Sequence, residues 1–118
     1  MNELRMYILV NASVKMSAGK MAAQTGHAIS AVTERMVSAY QSDWGKYKHG
    51  GHPKIVLKAP EEEMIKLLDR YERDERIWCI GIRDAGRTQL PPNTFTALAF
   101  RPMYKTELPE ELINLKLA

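Results

Sequence analysis

Two rhythms of hydrophobic and polar positions organise this chain. Residues 6–10 (Met-Tyr-Ile-Leu-Val) and 54–58 (Lys-Ile-Val-Leu-Lys) are short apolar runs, long enough for buried strands and too short for core helices. Between them, residues 20 to about 40 place Met21, Thr25, Ala28, Val32 and Met36 at helical spacing, which predicts a long amphipathic helix. Residues 11–19 read as a loop, and residues 42–53, rich in Gly, His and Lys, as irregular chain. Pro60 then opens a second helix, with Glu61, Glu62 and Glu63 where the macrodipole favours acids. Met64, Leu67, Leu68 and Tyr71 give it a buried face. Residues 77–82 form a third strand, residues 84–93 a loop punctuated by Gly86, Pro91 and Pro92, and residues 94–100 a fourth strand. Pro109 starts a short terminal helix or turn through Leu115.

The order β-α-β-α-β-β predicts an α/β fold. Strand–helix–strand units favour parallel pairing, whereas the last two strands have no helix between them. The expectation is a mixed four-stranded sheet, mostly parallel with its last strand antiparallel. Helices would pack on both faces, giving a three-layer α/β/α domain spanning residues 1–118. In such sheets sites form beyond the carboxyl ends of the parallel strands. Loops 11–19 and 84–93 would meet at that edge.

Composition narrows the setting. A chain of 118 residues, 45% hydrophobic and 26% charged, supports one core and excludes wholesale disorder. No apolar run approaches the ~20 residues of a membrane span, and no secretory leader is evident. The single Cys79 excludes an internal disulfide and suits a reducing, cytoplasmic setting. The net charge of +3 hides an asymmetry: residues 1–58 carry eight Lys/Arg against three Asp/Glu, and residues 59–118 nine against eleven. A basic half fits an anionic partner such as nucleic acid, or a solubilising surface.

The two helix starts differ. The first has no acid in its opening turn and places Lys20 there, next to Gly19, an arrangement that costs local stability. It makes sense if an anion docks on Gly19, Lys20 and the exposed backbone N–H groups, with Lys15 just upstream. Otherwise it is a tolerated surface lysine at a frayed helix start. Lys20, Gln24 and His27 fall on one polar stripe at ~100° per residue. That stripe either faces a pocket or is the wet edge of the helix. Asp84, directly after the third strand in Asp84-Ala85-Gly86-Arg87-Thr88-Gln89, can orient a water or hold a lysine, or can simply stabilise an Asx turn. Thr88 is a candidate cap or ligand contact, and Arg83 and Arg87 are candidate phosphate contacts or surface ion-pair partners.

Several motifs carry less. His49-Gly50-Gly51-His52 offers two imidazoles without the third or fourth ligand a metal needs. Cys79 sits mid-strand and is expected to be buried and inert. Trp44 and Tyr47 among Lys46 and Lys48 either stack on bases or cover the core. No Gly-x-Ser-x-Gly elbow occurs, and Met21 after Gly19-Lys20 breaks a phosphate-loop pattern.

Together these segments resemble the type 2 peptidyl-tRNA hydrolase family of archaea and eukaryotes. The resemblance is carried by Lys15-Met16, by residues 19–24 (Gly-Lys-Met-Ala-Ala-Gln) with His27-Ala28, by residues 53–60, and most specifically by residues 84–89. Thr96-Ala97-Leu98-Ala99 and Leu115-Lys116-Leu117 also fit. It implies hydrolysis of the ester between a peptide and the 3′ ribose of tRNA, with no metal or organic cofactor and no membrane association. It also implies a homodimer. The residues it implicates map to Lys20, Gln24, His27, Asp84 and Thr88; beside them, Lys15, Gly19 and Arg87 stand as the candidate tRNA phosphate contacts read from the loops. The chain departs from the family at Asn11-Ala12-Ser13-Val14, where Arg-x-Asp-Leu is common, at Ala18, where a Lys is usual, and at Arg101, where a small residue is usual. Losing two cations should weaken RNA phosphate contacts. That leaves a rival expectation, a weakened or inactive member serving as an RNA- or protein-binding module.

Overall fold

The computed structural model describes residues 3–86 and 90–118. Its elements are β1 (Met6–Asn11), α1 (Ala18–Ala39), α2 (Gln41–His49), β2 (Lys54–Ala59), α3 (Glu61–Tyr71), β3 (Cys79–Arg83), β4 (Phe95–Phe100), a 3-10 turn (Lys105–Glu107), α4 (Glu110–Ile113) and β5 (Lys116–Leu117). The strands make one five-stranded mixed sheet in the order β3-β4-β1-β2-β5.

Two expectations need correction. The sheet has five strands, not four, because Lys116–Leu117 pairs antiparallel with β2 through Leu57 and Lys58. Nor is its pairing mostly parallel. Only β1 and β2 pair in parallel, while β4 is antiparallel to both β1 and β3. The reason is insertion: β4 runs back antiparallel to β3 and enters between β3 and β1. Every residue of β1 and β4 is buried, as befits central strands. The last long strand does reverse, as expected. Strands β1, β2 and β3 therefore point the same way, and their carboxyl ends share one edge.

Alternation splits the sheet's side chains between two clusters. Met6, Ile8, Ala97 and Ala99 pack against Ala28, Val32 and Met36 of α1 and Tyr47 of α2. Tyr7, Leu9, Leu57, Leu98 and Phe100 pack against Met64 and Leu67 of α3 and Leu112 of α4. Burying side chains of this size stabilises each by ~1.5–3 kcal/mol relative to exposure. Of the stripe expected on the long helix, Ala28, Val32 and Met36 form its core face, whereas Met21 and Thr25 are only partly buried.

Residues 42–53 are also not irregular: most of them belong to α2, whose one buried residue is Tyr47. Tyr47 donates to the Pro53 carbonyl at 3.1 Å. Trp44 lies 5.7 Å from its ring and His52 5.5 Å from it, so these aromatics cover the core. Cys79 is buried beside the Leu67 carbonyl, and burial pushes its thiol up to about 12. No helix among the described residues is long and apolar enough to cross a membrane.

Candidate active site

The carboxyl edge gathers side chains from α1, β3 and β4. Ser17 caps α1, its hydroxyl accepting from the Lys20 N–H at 3.1 Å, which fixes where the helix begins. Lys20 then extends across to the residue after β3. Its ammonium lies 2.5 Å from Asp84 Oδ1, and both side chains are largely withdrawn from solvent, at 10% and 5% exposure. The other carboxylate oxygen accepts from the Gly86 N–H at 2.8 Å. Gly86 has φ +77°, and a Cβ there would come within 2.7 Å of Pro92, so only glycine fits. The Asp84 backbone is pinned as well: its N–H reaches Thr94 O at 2.8 Å, and its carbonyl accepts from the Asn93 N–H at 2.7 Å.

The Lys20 hydrogen bond holds the Asp84 carboxyl below its ordinary value of 3.8, helped by the Gly86 N–H and the charges of Lys20 and His27, and opposed by burial. Asp84 is therefore a stable carboxylate at neutral pH.

Gln24 is buried one turn along α1 and donates from Nε2 to Asp84 Oδ1 at 3.4 Å. Its carbonyl accepts from the Thr96 hydroxyl at 2.5 Å. Thr96 lies on β4, fully buried, and its presence here depends on an irregularity. The β3–β4 register passes from Ile82↔Ala97 to Arg83↔Phe95, which leaves Thr96 as an extra residue on β4. Strict alternation would put Thr96 with Leu98 and Phe100 on the α3 face. The bulge instead delivers its hydroxyl to α1. A periodic reading of β4 cannot find this residue, although the strand's Thr content was visible.

Lys20, Gln24, His27 and Asp84, with Ala23, Ile82, Arg83 and Ala85, line one cleft of about 270 Å³. The polar stripe on α1 thus faces a pocket. His27 is exposed at its rim. Lys15 and Gly19 are exposed ahead of the cleft and do not line it. Arg83 donates to Asn93 O at 3.0 Å. The expectations for Arg87 and Thr88 lie outside the described residues. Among the described residues no group of three or more His, Cys, Asp and Glu is placed to hold a metal ion.

The unusual loop after β1 is fastened elsewhere. Asn11 is buried and donates to Phe95 O at 2.8 Å and to Glu61 Oε1 at 3.0 Å. Ser13 donates its N–H to Asn11 Oδ1 at 2.8 Å, and its hydroxyl accepts from the Glu61 N–H at 3.0 Å, capping α3 from outside that helix. Two positions that depart from the usual pattern therefore hold the loop to α3 and β4 with neutral groups. Arg101 sits at the opposite edge, paired with Asp43 and stacked 4.6 Å from Tyr40, so that departure leaves the cleft untouched.

A buried ammonium–carboxylate pair in a polar cleft at the carboxyl edge of a mixed sheet defines an α/β protein with a candidate active site. The family described as Peptidyl-tRNA hydrolase PTH2 matches residues 4–118. A "Peptidyl-tRNA hydrolase" of Haloquadratum walsbyi is 39% identical over 100 residues, covering 84% of this chain and 86% of that protein. Another of the same name from Saccharolobus islandicus is 35% identical over 115 residues, covering 94% and 92%. The human "Peptidyl-tRNA hydrolase 2, mitochondrial" is 33% identical over 100 residues, covering 85% of this chain and 56% of its own length. The chain belongs to the type 2 peptidyl-tRNA hydrolase family.

Proposed function

We propose that this protein hydrolyses the ester joining a peptide to the 3′ ribose of tRNA, and that the Lys20–Asp84 cleft is where it does so. The single observation that carries this is the 2.5 Å pair between Lys20 and Asp84, shared with Gln24 and His27 in one pocket. No Ser, Cys or Thr among the described cleft-lining residues stands ready as a nucleophile, and direct attack by water is the preferred route. Asp84, held as a carboxylate, accepts a hydrogen bond from that water and orients it. Its lowered pKa makes it a weak proton acceptor, so His27 at the rim takes the water's proton and passes it to the ribose oxygen. Lys20 stabilises the oxyanion that forms on the ester carbonyl. Gln24, fixed by Thr96, keeps Asp84 and Lys20 in register. Thr88, Arg87, Lys15 and Gly19 complete the reading as contacts to the acceptor end.

Peptidyl-tRNA incubated with the pure protein should release free tRNA, and Lys20→Ala and Asp84→Asn should each lose activity by about 10²–10³-fold. Wild-type turnover in both variants would overturn the assignment. Tight tRNA binding without ester cleavage across pH would favour the binding-module reading instead. The working form is a cytoplasmic homodimer, consistent with the single buried Cys79 and an apolar surface formed by Met21, Ala22, Ile29 and Val56. Light scattering at micromolar concentration should give twice 13.5 kDa.

A further inference from the structure

The catalytic cleft does not end at His27. A second, shallower groove of about 580 Å³ shares Ala23, His27 and Ile82 with it and continues along α1 past Ser30 and Ala31 to Glu34. The i, i+3, i+4 and i+7 spacing of these residues puts them on one side of the helix. Ala23, Gly26, Ser30 and Ala31 are small and leave room for a chain lying lengthwise beside Ile82 of β3.

The two ends of this continuous trough differ in charge. Towards the start of α1 stand Lys15, Lys20 and the exposed N-terminal turn, with Arg83 on the opposite wall. At the far end Glu34 is, among the described residues, the only Asp, Glu, Lys or Arg lining the groove. Residues 1–58 contain three acids, Glu3, Glu34 and Asp43. Glu3 pairs with Arg5 and Asp43 with Arg101, whereas Glu34 is exposed and forms no ion pair among the described residues. Its neighbour Arg35 is turned away, stacked 4.5 Å over Trp78. A phosphate beside Glu34 would meet a like charge. A peptide's free α-amino group, cationic at neutral pH, would meet an opposite one.

Resting on the hydrolase reading above, we propose that the groove from His27 to Glu34 holds the peptide half of the substrate, with Glu34 receiving the α-ammonium of a short peptide, while the RNA leaves by the α1 N-terminal end. Length agrees. Seven residues of helix span ~10 Å, the reach of about three extended peptide residues. The terminal amine of a tripeptide whose ester lies beside His27, where the two grooves meet, therefore arrives at Glu34.

The test compares three substrates: tripeptidyl-tRNA with a free amine, the same tripeptide N-acetylated, and N-acetylaminoacyl-tRNA, which is too short for the groove. Glu34→Gln should raise KM about two- to five-fold for the free-amine tripeptide alone, in the range of an exposed ion pair. Ala31→Trp, which fills the groove, should raise KM about ten-fold for both tripeptides and leave the short substrate unchanged. Turnover of that short substrate also shows that each variant is folded. Equal effects on all three substrates, or weakened competition by deacylated tRNA in Ala31→Trp, would put RNA in the groove and overturn the inference. No effect of either variant on any substrate would overturn it too. Failure of the wild type on every substrate would instead defeat the underlying assignment of function.

Discussion

The starts of α1 and α3 sit at the same edge of the sheet and obey opposite rules. Helix α3 begins with Glu61, Glu62 and Glu63, complementary to its dipole, and Ser13 caps it from the β1 loop. Its face is apolar, through Met64 and Leu67. Helix α1 begins with no acid, places an ammonium in its first turn, and buries an amide, Gln24, beside a carboxylate. The first arrangement is what stability alone would select. The second gives up favourable dipole electrostatics to hold Lys20 and Asp84 together, a compromise expected where a chain does chemistry.

This contrast predicts a separation of effects. Lys20→Ala should reduce hydrolysis by about 10²–10³-fold per folded molecule while circular dichroism keeps the native signature, the melting temperature falling only by what the lost pair with Asp84 contributed. Substitution on the other side should do the reverse. Leu67→Ala should cost about 2–5 kcal/mol by leaving a cavity against Cys79 and Met64, with turnover per folded molecule preserved. Denaturant unfolding checks the first quantity, and single-turnover kinetics at low temperature the second. If Leu67→Ala instead abolished turnover in folded protein, the two faces would not be separable.

A smaller effect should follow at Thr96. Thr96→Val keeps the shape and removes the hydroxyl that fixes Gln24, and should lower kcat roughly ten-fold or more with little change in KM. Thr96→Ser should restore it. Equal loss in both variants, or no loss in Thr96→Val, would make the bulge a packing feature only. Smaller still, Ser13→Ala should remove the cap on α3 and cost about 0.5–1 kcal/mol without changing the chemical step.

The pH dependence follows from Asp84. Its carboxyl is held below the ordinary 3.8 in the folded protein. The stabilisation is therefore fully present above that ordinary value and is lost as pH falls through the folded one. Melting curves of wild type and Asp84→Asn should differ at neutral pH and converge below 3.8. Divergence on acidification would show that the pair does not stabilise the fold.

Much of this was legible in the chain. The strands β1, β2 and β4 and the helices α1 and α3 follow from apolar runs and a 3.6-residue stripe, and the meeting of Lys20 with Asp84 follows from strand direction and the carboxyl-edge rule. What stayed hidden has physical causes. Helix α2 buries only Tyr47, so no stripe reveals it. Two residues suffice for β5, too few for any alternation. The place of β4 between β3 and β1 is a choice of partners that a strand's own pattern does not encode. Thr96 reaches Gln24 only because of a bulge, and Ser13 caps a helix 48 residues away, a tertiary contact with no local signature.

The most direct test is a double-mutant cycle on hydrolysis of N-acetylaminoacyl-tRNA, using Lys20→Met, Asp84→Asn and the pair together. If ammonium and carboxylate act as one unit, the double variant should be no slower than the slower single variant. Losses that multiply would mean that the two groups work independently, and would contradict the account.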